Sequence, residues 1–138
     1  MRKIVTLLMM GGMLSLAQAY TYTKADRIKD MQSLAKAMQE IQTGFFYNNA
    51  DLVNEGAIKL SDIIVRIQPP LSEVEEKDPM TRYMNNKVKL SNKIKKKIDE
   101  KARIIIERFR DGDPKQAADA YTDVLDKCME CHIQIRQW

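Results

Sequence analysis

The chain has 138 residues, a formal net charge of +4, and 44% hydrophobic against 30% charged residues. That is the composition of a globular domain, and it lacks the strong basic bias of a nucleic-acid binder. Five glycines and four prolines are few, and two of those glycines fall in the first dozen residues, so low turn content points to a helical protein.

The opening stretch reads as a secretory leader. Arg2 and Lys3 give the charged start, Ile4 to Ala17 the apolar stretch, and Ala17-Gln18-Ala19 an A-x-A cleavage site. A membrane span needs roughly 20 apolar residues, more than this stretch supplies. The expectation is a signal peptide over residues 1–19, a single mature domain over 20–138 with net charge +2 and no membrane span, and export to the bacterial periplasm.

Four helices follow. The first is expected from about Thr23 to Gly44, with Ile28, Met31, Leu34, Ala35, Met38, Ile41 and Phe45 recurring at three and four residues. Asp26 and Asp30 sit early, where negative charge suits the helix dipole, and Gly44 with Asn48-Asn49 supplies the stop. The second runs from about Ala50 to Ile67, with Val53, Ala57, Leu60, Ile64 and Ile67 stepping 4-3-4-3 until Pro69-Pro70 forbids continuation. Leu71 to Lys77 is acidic and aperiodic, the pattern of an exposed loop.

The third helix starts at Asp78-Pro79, an N-cap followed by a proline at the first helical position. Its stripe of Tyr83, Val88, Ser91, Ile94, Ile98, Ile105 and Phe109 carries it to about Arg110, and Gly112 stops it. Asp113-Pro114 repeats the start signal for the fourth, whose apolar face is Ala117, Tyr121, Val124, Leu125, Cys128, Cys131, His132 and Ile135. Four amphipathic helices joined mostly by short connections predict an all-α fold, an antiparallel four-helix bundle.

The chemistry is concentrated at the end of that last helix. Cys128-Met129-Glu130-Cys131-His132 is the Cys-x-x-Cys-His spacing of covalent c-type haem attachment. Two thiols can add across the two porphyrin vinyls, and the imidazole beside them can ligate iron. On a helix the three residues share one face, here the face read as core. A redox Cys-x-x-Cys normally accompanies a βαβ pattern, which is missing. A structural zinc site needs four ligands, and these residues supply three. A chance pair of buried cysteines is the remaining plain reading. One covalently bound haem c is the cofactor expected.

His132 is the sole histidine, so two imidazoles from one chain cannot share an iron. The sixth position falls to a methionine or stays open. Met31 is the first choice, because a thioether favours reduced iron and suits electron transfer. Met38 is another, although methionine at helical spacing is usually core filling. Arg27 lies one turn before Met31, where its guanidinium could meet a propionate or simply face solvent. Arg136, four residues after His132, either tunes the imidazole or complements the helix C-terminus. Tyr121 either lines the cofactor or serves as a core aromatic. Lys93 to Arg103 is a basic run that reads as a solvated face or as a docking patch for an acidic redox partner.

A secreted four-helix pattern with Cys128-Met129-Glu130-Cys131-His132 near its C-terminus, followed by Arg136, resembles the cytochrome c′ family of class II c-type cytochromes. Arg27-x-x-x-Met31 resembles that family's helix-A arginine and distal-face residue. Tyr83 stands nearest to the aromatic, often Trp, found early in the family's third helix, and Trp138 is the only Trp here. The resemblance implies a propionate partner in Arg27 and a distal position for Met31. It also implies periplasmic redox partner proteins and, as in many members, a homodimer through the first two helices. Members with a distal methionine are low-spin electron carriers, whereas those with an apolar distal residue are five-coordinate and bind nitric oxide or carbon monoxide. Both functions stand as expectations, electron transfer first. No catalytic constellation is legible, so a non-enzymatic module is expected.

Overall fold

The computed structural model describes residues 21–69, 75–84 and 87–136. The leader assigned to residues 1–19, most of the 71–77 connector and Trp138 lie outside the described residues, as do the side chains of Tyr83 and Arg136. Among the described residues all regular structure is helical. None of the helices is long and apolar enough to cross a membrane.

Helix α1 spans Lys24–Phe46 and starts with a capping box. The Thr23 hydroxyl accepts from the Asp26 N–H at 3.2 Å, and the Asp26 carboxylate accepts from the Thr23 N–H at 2.8 Å, so two donors at the helix start are satisfied reciprocally. The helix ends two residues beyond Gly44, where Asn48 takes a positive φ of 48°. Gly44 is therefore not the stop. Its job is packing: a Cβ there would lie 2.6 Å from Val53 Cγ2 and 2.7 Å from the Val53 backbone nitrogen.

Helix α2 spans Ala50–Arg66, capped by the Asn49 side chain, which accepts from the Leu52 N–H at 3.1 Å. All five residues of its predicted seam are buried, joined by Gly56 and Ile63. The buried face of α1 is Asp30, Leu34, Ala37, Ile41 and Gly44, rotated from the predicted stripe so that Ile28 is 45% exposed. The rotation follows from the contacts with α2. Ala37 and Ile41 meet Gly56, where a Cβ would fall 2.8 Å from Ile41 Cγ1 and 3.0 Å from the Ala37 carbonyl oxygen. Small residues at the seam let the two backbones approach.

The predicted third helix is described as two stretches, α3 (Pro79–Met84) and α4 (Lys87–Arg110), on either side of residues 85–86. Asp78 begins it by accepting from the Thr81 N–H at 2.8 Å. Ile94, Ile98, Ala102 and Ile105 form the buried face of α4. The helix closes on a Schellman pair, with Gly112 N–H to the Phe109 carbonyl at 3.2 Å and Asp113 N–H to the Arg108 carbonyl at 2.9 Å.

Helix α5 spans Pro114–Cys131 and buries Ala117, Ala120 and Val124. It does not continue as an α-helix through Ile135, as the sequence predicts. From His132 to Arg136 the chain widens into a π-helical turn. Packing runs in chain order, α1 on α2, α2 on α4 and α4 on α5. Ile41, Leu60, Ile98, Ile105, Val53 and Val124 are the largest fully buried side chains.

Candidate functional site

Helices α1 and α5 do not pack closely on each other along their length. Both instead line one apolar cavity of about 420 Å³, within the size range of small-molecule sites. Met31, Leu34, Ala35 and Met38 line it from α1, and Ile64 and Ile67 from the end of α2. Ile94 and Ile98 contribute from α4, and Leu125, Cys128, Met129 and Cys131 from α5, with His132 and Ile135 from the turn beyond. Leu125 and Met129 are 50% and 40% exposed, and both face this space, so their exposed apolar surface is cavity wall.

The structure thus gathers Arg27, Met31, Cys128, Cys131 and His132 around one cavity, from positions a hundred residues apart. Tyr121 lies behind the lining: its ring meets Phe45 edge-on at 5.7 Å, Phe45 in turn meets Phe109 at 5.6 Å, and its phenol is close enough to Cys128 to feel that thiol's charge. It is not among the described cavity-lining residues. Arg136 belongs to the π-helical turn.

The chemistry of the wall is specific. Both cysteines carry thiols. Burial, and secondarily the neighbouring Cys131, pushes the Cys128 thiol up to about 11, so it stays protonated at neutral pH. The His132 backbone N–H bonds to the carbonyls of Cys128 and Met129, which anchors the imidazole-bearing residue to the helix carrying both thiols. Single π turns are frequent at functional positions. Among the described residues no three His, Cys, Asp or Glu side chains form a group able to hold a bare metal ion.

Charge on the lining is one-sided. Arg27, Lys87 and Lys95 contribute cations, and no carboxylate joins them among the described lining residues. The Arg27 Nε is buried with no hydrogen-bond partner among the described residues, a costly condition for a guanidinium nitrogen. Lys95 donates to the Ile67 carbonyl at 2.5 Å, and burial lowers its pKa. An apolar ligand carrying acid groups matches this lining in charge and polarity.

Sequence reasoning missed Lys87 and Lys95 as lining residues, although the signal was present. Lys87, Ser91, Ile94, Lys95 and Ile98 step at three and four residues along one face of α4. The basic run is largely engaged within the molecule. Lys97 pairs with Glu100 at 2.9 Å, Lys101 with Asp123 at 2.6 Å and Arg103 with Asp99 at 3.3 Å, leaving less of it for docking than a bare count of lysines suggests. Comparison of the chain with protein-family models, with curated proteins and with solved structures finds no match.

Proposed function

We propose that the protein is a periplasmic monohaem c-type cytochrome of the class II kind, a one-electron carrier rather than an enzyme. The observation that carries the reading is that Cys128, Cys131 and His132 form the wall of an apolar cavity whose lining also includes Met31 and Arg27. Haem c supplies a ferric/ferrous couple when bound. The Cys128 and Cys131 sulfurs would carry its thioethers, and the His132 imidazole would bind its iron. Met31 would offer the iron a soft, neutral sulfur, and Leu34, Ala35 and Ile98 are apolar parts of the same lining. Arg27, whose buried Nε has no partner among the described residues, would receive an acid group.

The four long helices are read as an antiparallel bundle. The register of α1 on α2 supports this, because Gly44 meets Val53, Ile41 meets Gly56, Glu40 pairs with Lys59 at 2.8 Å and Asp30 pairs with Arg66 at 3.0 Å. Rising numbers on one helix meet falling numbers on the other. The cavity takes the side of the bundle where α1 and α5 would otherwise touch, as bundles build cofactor sites from inward side chains. The leader over residues 1–19 directs export, and the partners are periplasmic redox proteins.

The test is optical spectroscopy on protein made in cells able to mature c-type cytochromes. The expected result is a coloured, covalently modified chain beginning at Tyr20, low-spin in both oxidation states and unreactive toward carbon monoxide. A colourless chain refutes the cytochrome reading. A coloured chain that binds carbon monoxide at once moves the function to gas capture at an open iron.

A further inference from the structure

Among the described residues Asp30 is the one buried charged side chain. Both of its oxygens are used. Oδ1 accepts from Arg66 Nε at 3.2 Å and Nη2 at 3.0 Å, and Oδ2 accepts from the Tyr22 hydroxyl at 2.8 Å. Burial, followed by the hydrogen bond to Asp30, holds the Tyr22 phenol well above its ordinary value. The Arg27 guanidinium sits over the Tyr22 ring at 6.0 Å. One cluster therefore joins the segment before α1, the first turns of α1 and the last residue of α2.

Asp30 is buried but its partner Arg66 is 56% exposed, and a half-exposed ion pair contributes little to stability, so stability alone does not account for it. Its place in the fold suggests another role. Helix α1 packs on α2 and lacks comparable packing on α4 or α5. At the end near residues 47–49 the two helices are held tightly by Gly44 and Gly56. The other end, which carries Arg27 and Met31, borders the cavity. Met31 lies ten residues before Ile41, which meets Gly56, a lever of about 15 Å. A tilt of about 4° around that contact would move Met31 by about 1 Å over that rise, enough to matter for a directional bond.

We propose that Tyr22, Asp30 and Arg66 are positioning residues, a latch that fixes how far α1 carries Met31 and Arg27 into the cavity. The proposal rests on the cytochrome reading for its consequence at the iron, while the latch itself is a property of the chain. The buried charge supplies what an apolar contact would not, a directional, single-register tie between two helix ends.

The experiment uses the full mature protein and the variants Arg66→Ala, Arg66→Lys and Tyr22→Phe. Amide hydrogen exchange by mass spectrometry is read for residues 24–34 against 37–46, and carbon monoxide association is read on the reduced protein. In Arg66→Ala, exchange over 24–34 speeds about tenfold, the scale of one lost charge-assisted hydrogen bond, while 37–46 is unchanged. Carbon monoxide, toward which the wild type is unreactive, now binds the reduced variant, and Arg66→Lys reverses part of both changes. Tyr22→Phe gives a smaller shift in the same direction and decides the matter should Arg66→Ala fail to fold. Equal acceleration in all helices, or loosened residues 24–34 with unaltered carbon monoxide binding and spin state, overturns the proposal. Should the wild type carry no haem, the cytochrome reading fails, and the exchange pattern alone still decides whether the latch exists.

Discussion

Replacing Gly56 with alanine sets two effects of opposite sign against each other. Alanine favours a helix interior over glycine by about 1 kcal/mol, so on propensity the variant is more stable. Its Cβ, however, would lie 2.8 Å from Ile41 Cγ1, 2.9 Å from the Ile41 backbone nitrogen and 3.0 Å from the Ala37 carbonyl oxygen. Two of these neighbours are backbone atoms of α1 and cannot rotate aside, so the helices must part by several tenths of an ångström. Ile41, Val53 and Leu60 are at most 1% exposed, and separation loosens all three. Overpacking of this kind costs about 2–3 kcal/mol. The net expectation is a loss of about 1–2 kcal/mol after the propensity gain is subtracted. Urea denaturation followed by far-ultraviolet circular dichroism measures it, with the slope unchanged and the midpoint lowered. A variant more stable than wild type by about 1 kcal/mol would show that propensity wins and that α1 and α2 are not held at glycine distance.

Three further outcomes are expected. Met31→Ala turns a low-spin spectrum high-spin and admits carbon monoxide, and an unchanged spectrum removes Met31 as the sixth ligand. Asp113→Ala removes the acceptor of the Gln116 N–H at 2.9 Å and lowers stability by about 1 kcal/mol in the same denaturation assay, leaving the spectrum alone. The chain made without haem attachment is expected to lose stability in alkali. The folded state holds the Cys128 proton up to about pH 11 against an ordinary value of 9.0. That stabilisation is therefore whole below about pH 9 and gone by about pH 11. The attached chain has no such thiol and lacks this share of the decline, whereas the raised Tyr121 phenol acts in both forms. Identical alkaline profiles would contradict the burial of Cys128.

Two helix starts were legible because their signals are local: Asp78 and Asp113, each followed by a proline, cap through a side chain three residues from its partner. Thr23 and Asn49 cap the other two at the same spacing, but neither is followed by a proline, and Asn49 read as part of the preceding stop. The seam of α2 was legible because its buried residues are apolar and evenly spaced. Asp30 was not. The helix dipole gives a sufficient account of an acidic residue near a helix start, and its actual partner, Arg66, lies 36 residues away. Gly44 misled for the same reason, since a glycine near a helix end reads as a stop until the opposing Val53 is known. At the cavity, Cys128, Cys131 and His132 were legible as a motif, and Arg27 and Met31 by their shared face. Lys95 was hidden inside the run 93–103, in which eight of eleven residues are charged, and Lys87 lies outside that run, so that only the partner of each lysine separates wall from surface.

The shielding of the Cys128 sulfur bears on the order of events during biogenesis. A protonated, largely buried thiol reacts slowly with any electrophile, so on the proposed haem c reading the thioether bonds would form most readily on a chain that has not yet collapsed. Premature compaction then competes with maturation. Substitutions that strengthen the bare polypeptide would be expected to lower the yield of finished protein, although the finished protein itself would be sturdier.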